Sequence, residues 1–204
     1  MTTYKGLILD FGGVVTTDFY GALDAWSLRA GLGDHAFTRA LREHPEGRAA
    51  LAAVECGELP QRDFEREMGR ILGVSDQGLL AAALADLRPR TEIIGMTRRA
   101  REHGVLVAAL SNSWGTGDYD PYAGWDLDAM FDAVVISDRV GLRKPDPEIF
   151  RLTASMLGLE PGDCLFVDDT EHNLPGAAGL GMGTLFFTGA AGEVATIEQM
   201  TGIA

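Results

Sequence analysis

The amino-acid sequence predicts an α/β fold, with a doubly wound (Rossmann-like) parallel sheet as its core and a helical cap inserted into it. Short apolar segments alternate with segments of helical periodicity, as in sheets built from strand–helix repeats. Most of the apolar segments are continuous, which is typical of strands that helices cover on both faces. One long interval near the N-terminus interrupts the alternation and contains only helical patterns.

The apolar segments predict five strands, at residues 5–10, 105–111, 133–136, 164–168 and 184–187. Helical patterns precede three of these strands, at residues 91–103, 146–157 and 170–180. The second of these helices has the clearest start, because Asp146 can cap its first turn and Pro147 suits the first helical position.

The interval between the first two strands reads as an all-helical insert. It contains a predicted helix at residues 60–72 and another at 75–87, with Ser75 as the cap of the second. An insert at this position would cover the carboxyl ends of the strands, where open α/β folds bind their ligands. The predicted domains are a core of residues 1–15 and 91–204 and a cap of residues 16–90.

Composition limits the possible partners of the chain. Hydrophobic residues make up 46% of its 204 residues, which is enough to bury a core. The 17 basic and 30 acidic side chains give a formal net charge of −13. A surface of this charge repels nucleic acid unless basic residues cluster locally, and the sequence contains no such cluster. We therefore expect no nucleic-acid partner.

Sequence signals for other compartments are absent. No apolar run reaches the length of about 18 residues that spans a membrane, and residues 1–9 do not resemble a signal peptide. The two cysteines, Cys56 and Cys164, match neither a zinc spacing nor a CxxC pattern. We expect a cytoplasmic protein without a membrane partner, present as a monomer or a homodimer.

Candidate catalytic and ligand-binding residues follow the predicted strands. Asp10 closes the first strand, and Gly12 and Gly13 follow it. Glycines let the backbone approach a ligand, and the N–H groups of such a turn can hold a phosphoryl group. The carboxylate could attack that group or bind a metal. An ordinary turn is the alternative, because Asp and Gly commonly end strands.

Ser111 and Asn112 stand directly after the second predicted strand. A hydroxyl and an amide at this place could hydrogen-bond to a phosphate oxygen. A helix cap or turn is the favoured interpretation of this pair in isolation.

Lys144 is unusual for this chain, which contains only two lysines beside fifteen arginines. A compact ammonium can contact a nucleophile and a phosphate together, where a planar guanidinium would fit differently. An exposed basic turn is the alternative.

Asp168 and Asp169 end the fourth predicted strand. Two adjacent carboxylates at the end of a buried strand are costly unless a positive charge lies near them, and a hard divalent cation would supply it. A pair of caps for the next helix is the alternative. If the strands are parallel, these residues, Lys144, Ser111 and Asp10 all meet at one edge of the sheet.

The order of these motifs resembles that of the haloacid dehalogenase-like hydrolases whose cap follows the first motif. The residues that carry the resemblance are Asp10-Phe11-Gly12-Gly13-Val14, Leu110-Ser111-Asn112, Arg143-Lys144-Pro145-Asp146-Pro147 and Asp168-Asp169 through Asn173. The last three motifs are closest to sugar-1-phosphate phosphatases and to the N-terminal phosphatase domain of soluble epoxide hydrolases. The resemblance covers nearly the whole chain, and it is specific for the family but not for a substrate.

The resemblance implies a Mg²⁺-dependent phosphatase that hydrolyses a small phosphorylated metabolite, for example a sugar phosphate. Asp10 would be the nucleophile that forms an aspartyl-phosphate, and the expected catalytic residues are Asp10, Ser111, Asn112 and Lys144. Mg²⁺ would be held by Asp10, the carbonyl of Gly12 and Asp169, with Asp168 in support. The expected substrate-binding residues are Phe11, Gly12, Ser111, Asn112, Lys144 and Asn173.

One departure from the family pattern keeps other functions open. Phosphatases of the family usually carry a second Asp, the general acid and base, at the position of Gly12. The alternatives are a metal-independent 2-haloacid dehalogenase and a catalytically weak phospholigand-binding protein. Without the acid, substrates with acidic leaving groups should react best, unless His172, Asp18 or a cap carboxylate replaces it.

The cap and one loop are the expected sources of substrate specificity. In the cap, the candidate residues are Phe19, Tyr20, Trp26 and Arg48. The loop at residues 114–125 is rich in Gly, Tyr, Trp and Asp, and it lines the site, mediates self-association or is an ordinary surface loop.

Overall fold

The computed structural model describes residues 3–203, and within them five parallel strands form one sheet. The strands are β1 (Gly6–Asp10), β2 (Leu106–Ser111), β3 (Ala133–Ile136), β4 (Cys164–Asp168) and β5 (Gly183–Phe186). Their order across the sheet is β3-β2-β1-β4-β5, so β1 is central and the chain builds first one half and then the other. The predicted doubly wound α/β fold is confirmed.

The register aligns the carboxyl ends of the three central strands. Asp10, the last residue of β1, lies opposite Leu110 of β2. Leu9 lies opposite Val167 of β4. The residues that follow β1, β2 and β4 therefore start from one edge of the sheet, at the point where the strand order reverses.

Helices cover both faces of the sheet and fill the interval between β1 and β2. That interval contains α1 (Phe19–Arg29), α2 (Ala36–Arg42), α3 (Pro45–Glu55), α4 (Gln61–Leu72) and α5 (Leu79–Ala83). The later helices are α6 (Thr91–Glu102), α7 (Leu127–Met130), α8 (Ser137–Val140), α9 (Pro147–Met156), α10 (Leu174–Ala178) and α11 (Glu193–Thr201). No helix within residues 3–203 is long and apolar enough to cross a membrane.

Successive strand residues pack into two separate cores, because side chains alternate between the faces of a strand. Leu7 and Leu9 of β1 pack with residues of α6 and α11 on one face. Ile8 packs with residues of α9 on the other face, where the rings of Phe150 and Phe166 meet edge to face with 4.9 Å between their centroids. Both faces are apolar, which explains the continuous apolar runs in the sequence.

Helices α1–α5 form a third hydrophobic cluster of their own, around the fully buried Phe37, Phe64 and Met68. The chain enters and leaves this layer at a single place, residues 15–17 and 88–90, which we call the neck. In the neck, the N–H of Thr17 donates to the carbonyl of Arg88 at 2.8 Å, and the N–H of Arg90 donates to the carbonyl of Val15 at 2.9 Å.

Two predicted helices are wrong in extent. The helix expected from Ser75 begins only at Leu79, because Gly78 adopts a left-handed conformation with φ of 66°. Ser75 instead accepts a hydrogen bond from the N–H of Gln77 in the preceding turn, at 3.3 Å. The helix expected at residues 170–180 is a short 3-10 turn followed by α10, where Pro175 lies in the first turn.

The expected start of α9 is confirmed. Pro147 is its first residue, and the side chain of Asp146 accepts a hydrogen bond from the N–H of Glu148 at 2.9 Å. This cap starts α9 at Pro147, three residues after Lys144, and so defines where the loop that carries Lys144 ends.

Candidate active site

A cavity of about 1180 Å³ lies between the carboxyl edge of the sheet and helices α1–α5. The predicted residues that line it are Asp10, Phe11, Gly12, Ser111, Asn112, Lys144, Asp169 and Asn173. A smaller hollow of about 540 Å³ lies near the amino end of β2 and contains none of them. The expectation that the strand-end residues meet at one edge is therefore met.

Lys144 is the centre of the polar contacts in this cavity. Its side chain is 1% exposed, and its Nζ donates to Asp10 Oδ1 at 2.6 Å and to Asp168 Oδ2 at 2.7 Å. A third bond goes to the carbonyl of Leu110 at 3.2 Å. Burial lowers the pKa of Lys144, but the two carboxylates outweigh it and raise that pKa above the usual value. Lys144 is therefore a charged ammonium ion.

Asp168 lies beneath the cavity and is fully buried. The side-chain amide of Asn173 donates to both of its oxygens, at 3.2 and 3.0 Å, and the N–H of Thr170 donates to its Oδ1 at 2.7 Å. With the bond from Lys144, both oxygens of this carboxylate are occupied. Asp168 therefore holds Lys144 and the loop after β4 in place, and Asn173 contacts Asp168 and not Lys144 directly.

Asp10 and Asp169 have the chemistry of a cation site. One carboxylate oxygen from each of Asp10, Asp168 and Asp169 can be chosen so that the three lie within 4.8 Å of one another. Burial raises the pKa of Asp10, and burial, followed by the charge of Asp168, raises that of Asp169 to about 6. The Oδ2 atoms of Asp10 and Asp169 accept no hydrogen bond from residues 3–203.

These observations fit a hard divalent cation. Three crowded carboxylates share one ammonium ion, and Mg²⁺ prefers carboxylate oxygens. Asp10 and Asp169 have oxygens available for it, whereas Asp168 is suited to the supporting role expected from the sequence.

The two glycines after Asp10 differ in what they require. Gly13 has a φ of 93°, and a Cβ atom there would lie 1.9 Å from Asp169 Oδ2, so the close approach of these loops needs a glycine. Gly12 has a φ of −78°, and a Cβ atom there would lie 3.4 Å from the nearest atom, in the ring of Phe19. The missing carboxylate at Gly12 is therefore not imposed by the backbone.

Ser111 and Asn112 are held by different partners. Tyr122 donates its hydroxyl to Ser111 Oγ at 2.9 Å. Asn112 accepts from the N–H of Lys144 at 2.9 Å and donates to the carbonyl of Lys144 at 3.2 Å. The side chain of Asn112 thus fixes the loop that carries Lys144, while Ser111 borders the cavity beside Asp10.

Phe11 is 4% exposed, and its ring packs 5.0 Å from the rings of both Tyr122 and Trp125. Its side chain belongs to the core, so the part of Phe11 that could contact a ligand is its backbone.

Aromatic residues form much of the wall of the cavity. Of the four specificity candidates, Phe19, Tyr20 and Arg48 line the cavity. Trp26 instead packs against Phe37 inside the helical layer, with 5.6 Å between ring centroids. The loop at residues 114–125 lines the cavity with Trp114, Tyr119, Tyr122 and Trp125, among others. The loop therefore borders the cavity, as one of its predicted alternatives required.

Two residues of the helical layer reach the site without a signal in the sequence. Glu55, the last residue of α3, forms an ion pair of 2.6 Å between its Oε2 and Arg143 Nη2. Gln61, the first residue of α4, donates to the carbonyls of Gly115 and Tyr119 at 3.0 and 2.8 Å, and accepts from the N–H of Tyr119 at 3.0 Å. Both contacts join residues far apart in the chain, and local patterns do not reveal such pairs.

The fold and this arrangement of polar residues define a hydrolase of one known class. The model of the haloacid dehalogenase-like hydrolase family matches residues 4–181, and the chain belongs to this family. The resemblance seen in the four motifs is confirmed.

Named relatives add detail to this family assignment. The D-ribitol-5-phosphate phosphatase of Bacteroides thetaiotaomicron is 29% identical over 83% of this chain and 85% of its own length. Mouse acyl-CoA dehydrogenase family member 10 is 25% identical over 98% of this chain but only 19% of its own length. The glyceraldehyde 3-phosphate phosphatase of Methanopyrus kandleri is 29% identical over 64% of this chain and 60% of its own. The chain thus spans less than two thirds of the last two relatives.

Solved structures share the fold. A HAD family enzyme from Bacteroides thetaiotaomicron, in complex with magnesium and inorganic phosphate, matches with a TM-score of 0.65 and 24% identity over 91% of this chain and 94% of that one. A HAD-like hydrolase from Porphyromonas gingivalis matches with a TM-score of 0.75 and 23% identity over 98% of both chains. At these identities the likeness concerns the fold.

Proposed function

We propose that this hydrolase is a Mg²⁺-dependent phosphatase that acts on a small phosphate monoester through an aspartyl-phosphate on Asp10. The observation that supports it most is the buried contact of Lys144 with Asp10, beside the unpaired oxygen of Asp169. A carboxylate, an ammonium ion and a cation site at one edge of a cavity are the parts that phosphoryl transfer to a carboxylate needs.

In this proposal each residue acts from the position it already occupies. Asp10 attacks the phosphorus atom with its carboxylate, which Lys144 holds in place through Oδ1. The ammonium of Lys144 stabilises the negative charge on the phosphoryl oxygens, and Ser111 donates its hydroxyl to one of them. A Mg²⁺ ion held by Asp10, Asp169 and the carbonyl of Gly12 would neutralise further charge on the phosphoryl group. Asn112 holds the backbone of Lys144 in position, and Asn173 holds the side chain of Asp168.

Residues 16–90 act as a cap in this proposal, and residues 1–15 and 91–204 form the catalytic core. The cap would exclude water and select the leaving group. The substrate is a small phosphorylated metabolite, for example a sugar phosphate, as the names of two relatives suggest. The cavity of about 1180 Å³ has room for a leaving group larger than a triose.

Phosphate release is the measurement that tests the proposal. With Mg²⁺, we expect the purified protein to hydrolyse 4-nitrophenyl phosphate and to lose this activity in EDTA. The Asp10→Asn variant should keep its fold by circular dichroism and lose several orders of magnitude in kcat.

Two results would contradict the proposal. Release of halide from a 2-haloacid in EDTA, with no turnover of any phosphate ester in Mg²⁺, would show the metal-independent dehalogenase instead. Binding of phosphate esters without single-turnover transfer to Asp10 would show a phospholigand-binding protein.

A further inference from the structure

The absence of a carboxylate at Gly12 leaves the proposed reaction without its usual proton donor. Five carboxylates line the cavity, and Asp10 and Asp169 are already assigned to attack and metal binding. The other three are Glu55, Asp120 and Glu171. Asp120 and Glu171 are exposed, and Asp120 already accepts a hydrogen bond from the N–H of Tyr122 at 2.9 Å.

Two other candidates, His172 and Asp18, are less well placed than Glu55, because His172 is exposed and Asp18 does not line the cavity. His172 is exposed to solvent at the cavity rim. The side chain of Asp18 caps α1 by accepting from the N–H of Gly21 at 2.9 Å. Glu55 is the remaining group, and it is 6% exposed.

We propose that Glu55 is the general acid and base of this enzyme, supplied to the leaving oxygen by helix α3 of the cap. This inference rests on the proposed phosphatase function and names the group that replaces the missing Asp.

The contacts of Glu55 hold its carboxylate in a fixed orientation at the wall of the site. Its Oε2 pairs with Arg143, and Asn112 Nδ2 lies 3.5 Å from the same oxygen. Asn112 in turn bonds the backbone of Lys144, so the proposed acid and the proposed phosphate-binding ammonium are connected by one amide. Glu55 Oε1 accepts no hydrogen bond from residues 3–203 and is the oxygen available to a substrate.

The surroundings of Glu55 suit a group that must both give and accept a proton. Burial raises the pKa of Glu55 to about 7, against the opposing charges of Arg143 and Lys144. Tyr20 of α1 also faces it, and the pKa of that phenol is raised, mainly by burial. A group with a pKa near the operating pH is the most effective proton-transfer catalyst.

The two chemical steps then balance in protons. As Asp10 attacks, the bond from phosphorus to the leaving oxygen breaks, and the proton of Glu55 goes to that oxygen to give an alcohol. In the second step a water molecule attacks the aspartyl-phosphate, its proton returns to Glu55, and inorganic phosphate leaves with Asp10 restored.

The substitution Glu55→Gln tests this role with two substrates in Mg²⁺. Glycerol phosphate has a poor leaving group, so its kcat/KM should fall by about 10²- to 10⁴-fold. The leaving group of 4-nitrophenyl phosphate needs no proton, so its kcat/KM should stay within about tenfold of wild type. Because the second step also loses its base, 4-nitrophenolate should appear in a burst that matches the enzyme concentration. Glu58→Gln, a change at an exposed carboxylate that does not line the cavity, should show neither effect.

The pH profile separates catalysis from a purely structural role. In the wild type, kcat/KM for glycerol phosphate should fall above a pH of about 7, and Glu55→Gln should lose this limb. Since Arg143 lowers the pKa of Glu55, Arg143→Met should move the limb to higher pH.

Other results would overturn the inference. An equal loss of kcat/KM for both substrates, without a burst, would show that Glu55 only ties the cap to Arg143. Unchanged kinetics in Glu55→Gln would exclude any role for it. A wild-type protein that hydrolyses neither substrate in Mg²⁺ would instead overturn the proposed function itself.

Discussion

Lys144 is the side chain on which the charge balance of the site depends. It is 1% exposed and contacts two carboxylates, whereas Lys5, the only other lysine, is 67% exposed and pairs with Asp163 at the surface. A buried ammonium between two acids cannot be exchanged for a larger planar ion without moving its neighbours. Substitution of Lys144 by Arg therefore tests this requirement, and the same substitution at the exposed Lys5 is its control.

We expect Lys144→Arg to lower kcat/KM for 4-nitrophenyl phosphate by about 100-fold or more, because the guanidinium cannot reach the phosphoryl group from the same place. Lys5→Arg should leave the kinetics unchanged. Near-wild-type kinetics of Lys144→Arg would show that the site needs only a positive charge.

The sequence was sufficient to predict the residues of the site that follow strands. Asp10, Ser111 and Asp168 each stand where an apolar run ends, and parallel strands bring such positions together. Glu55 could not be found in this way. It lies 57 residues from Asn112 in the chain, and the contact depends on how α3 packs over the sheet.

Helix α4 controls the loop at residues 114–125 through one residue. The amide of Gln61 is buried and both donates to and accepts from the backbone of this loop. Without the side chain of Gln61, these loop backbone groups would lose their hydrogen-bond partner, so they would have to bond to water or the loop would have to rearrange.

We expect Gln61→Ala to free the loop, so that the amide of Tyr119 exchanges its hydrogen faster and KM rises severalfold. The neighbouring Arg62 is exposed, and Arg62→Ala should change neither quantity. Hydrogen exchange followed by mass spectrometry, together with steady-state kinetics, measures both. Unchanged exchange in Gln61→Ala would show that the loop is held by its own aromatic packing.

The bounds of a secondary-structure element were predictable where the element is a continuous buried apolar run. They were less predictable where the backbone conformation of one residue decides where a helix begins. Strands β3 and β4 have the predicted bounds, because each consists of a short apolar run, which in β4 ends at the buried Asp168. The helix at Leu79–Ala83 was overestimated, since Gly78 takes a left-handed conformation that periodicity does not encode. The Asp146 cap was found because its hydrogen bond is local.

The stability of the entire molecule should report on metal binding without any substrate. Mg²⁺ would bind the folded site, and a ligand that binds only the folded state raises Tm further as its concentration increases above its Kd. In the wild type we expect a rise in Tm with Mg²⁺. Asp169→Asn should be at least as stable as wild type in EDTA, because it removes one of three crowded carboxylates, but should lose the rise.

Thermal unfolding of both proteins with Mg²⁺ and with EDTA measures this difference. A wild-type Tm that does not respond to millimolar Mg²⁺, or an equal response in Asp169→Asn, would contradict the proposed metal site.

The cytoplasmic location and the monomeric or homodimeric state are predictions from the sequence. The division into core and cap is likewise a proposal, although the neck gives it a physical basis.

The neck also has a consequence for how the chain reaches its native topology. The central pairing of the sheet joins Asp10 to the region of Leu110, so it must close a loop of roughly 100 residues. If α1–α5 collapse first and join residues 15–17 to 88–90, the loop still to be closed shrinks to roughly 30 residues. The entropic barrier to pairing β1 with β2 then falls by about 1 kcal/mol. An insert that interrupts the sheet in sequence would in this way shorten the path by which the sheet assembles.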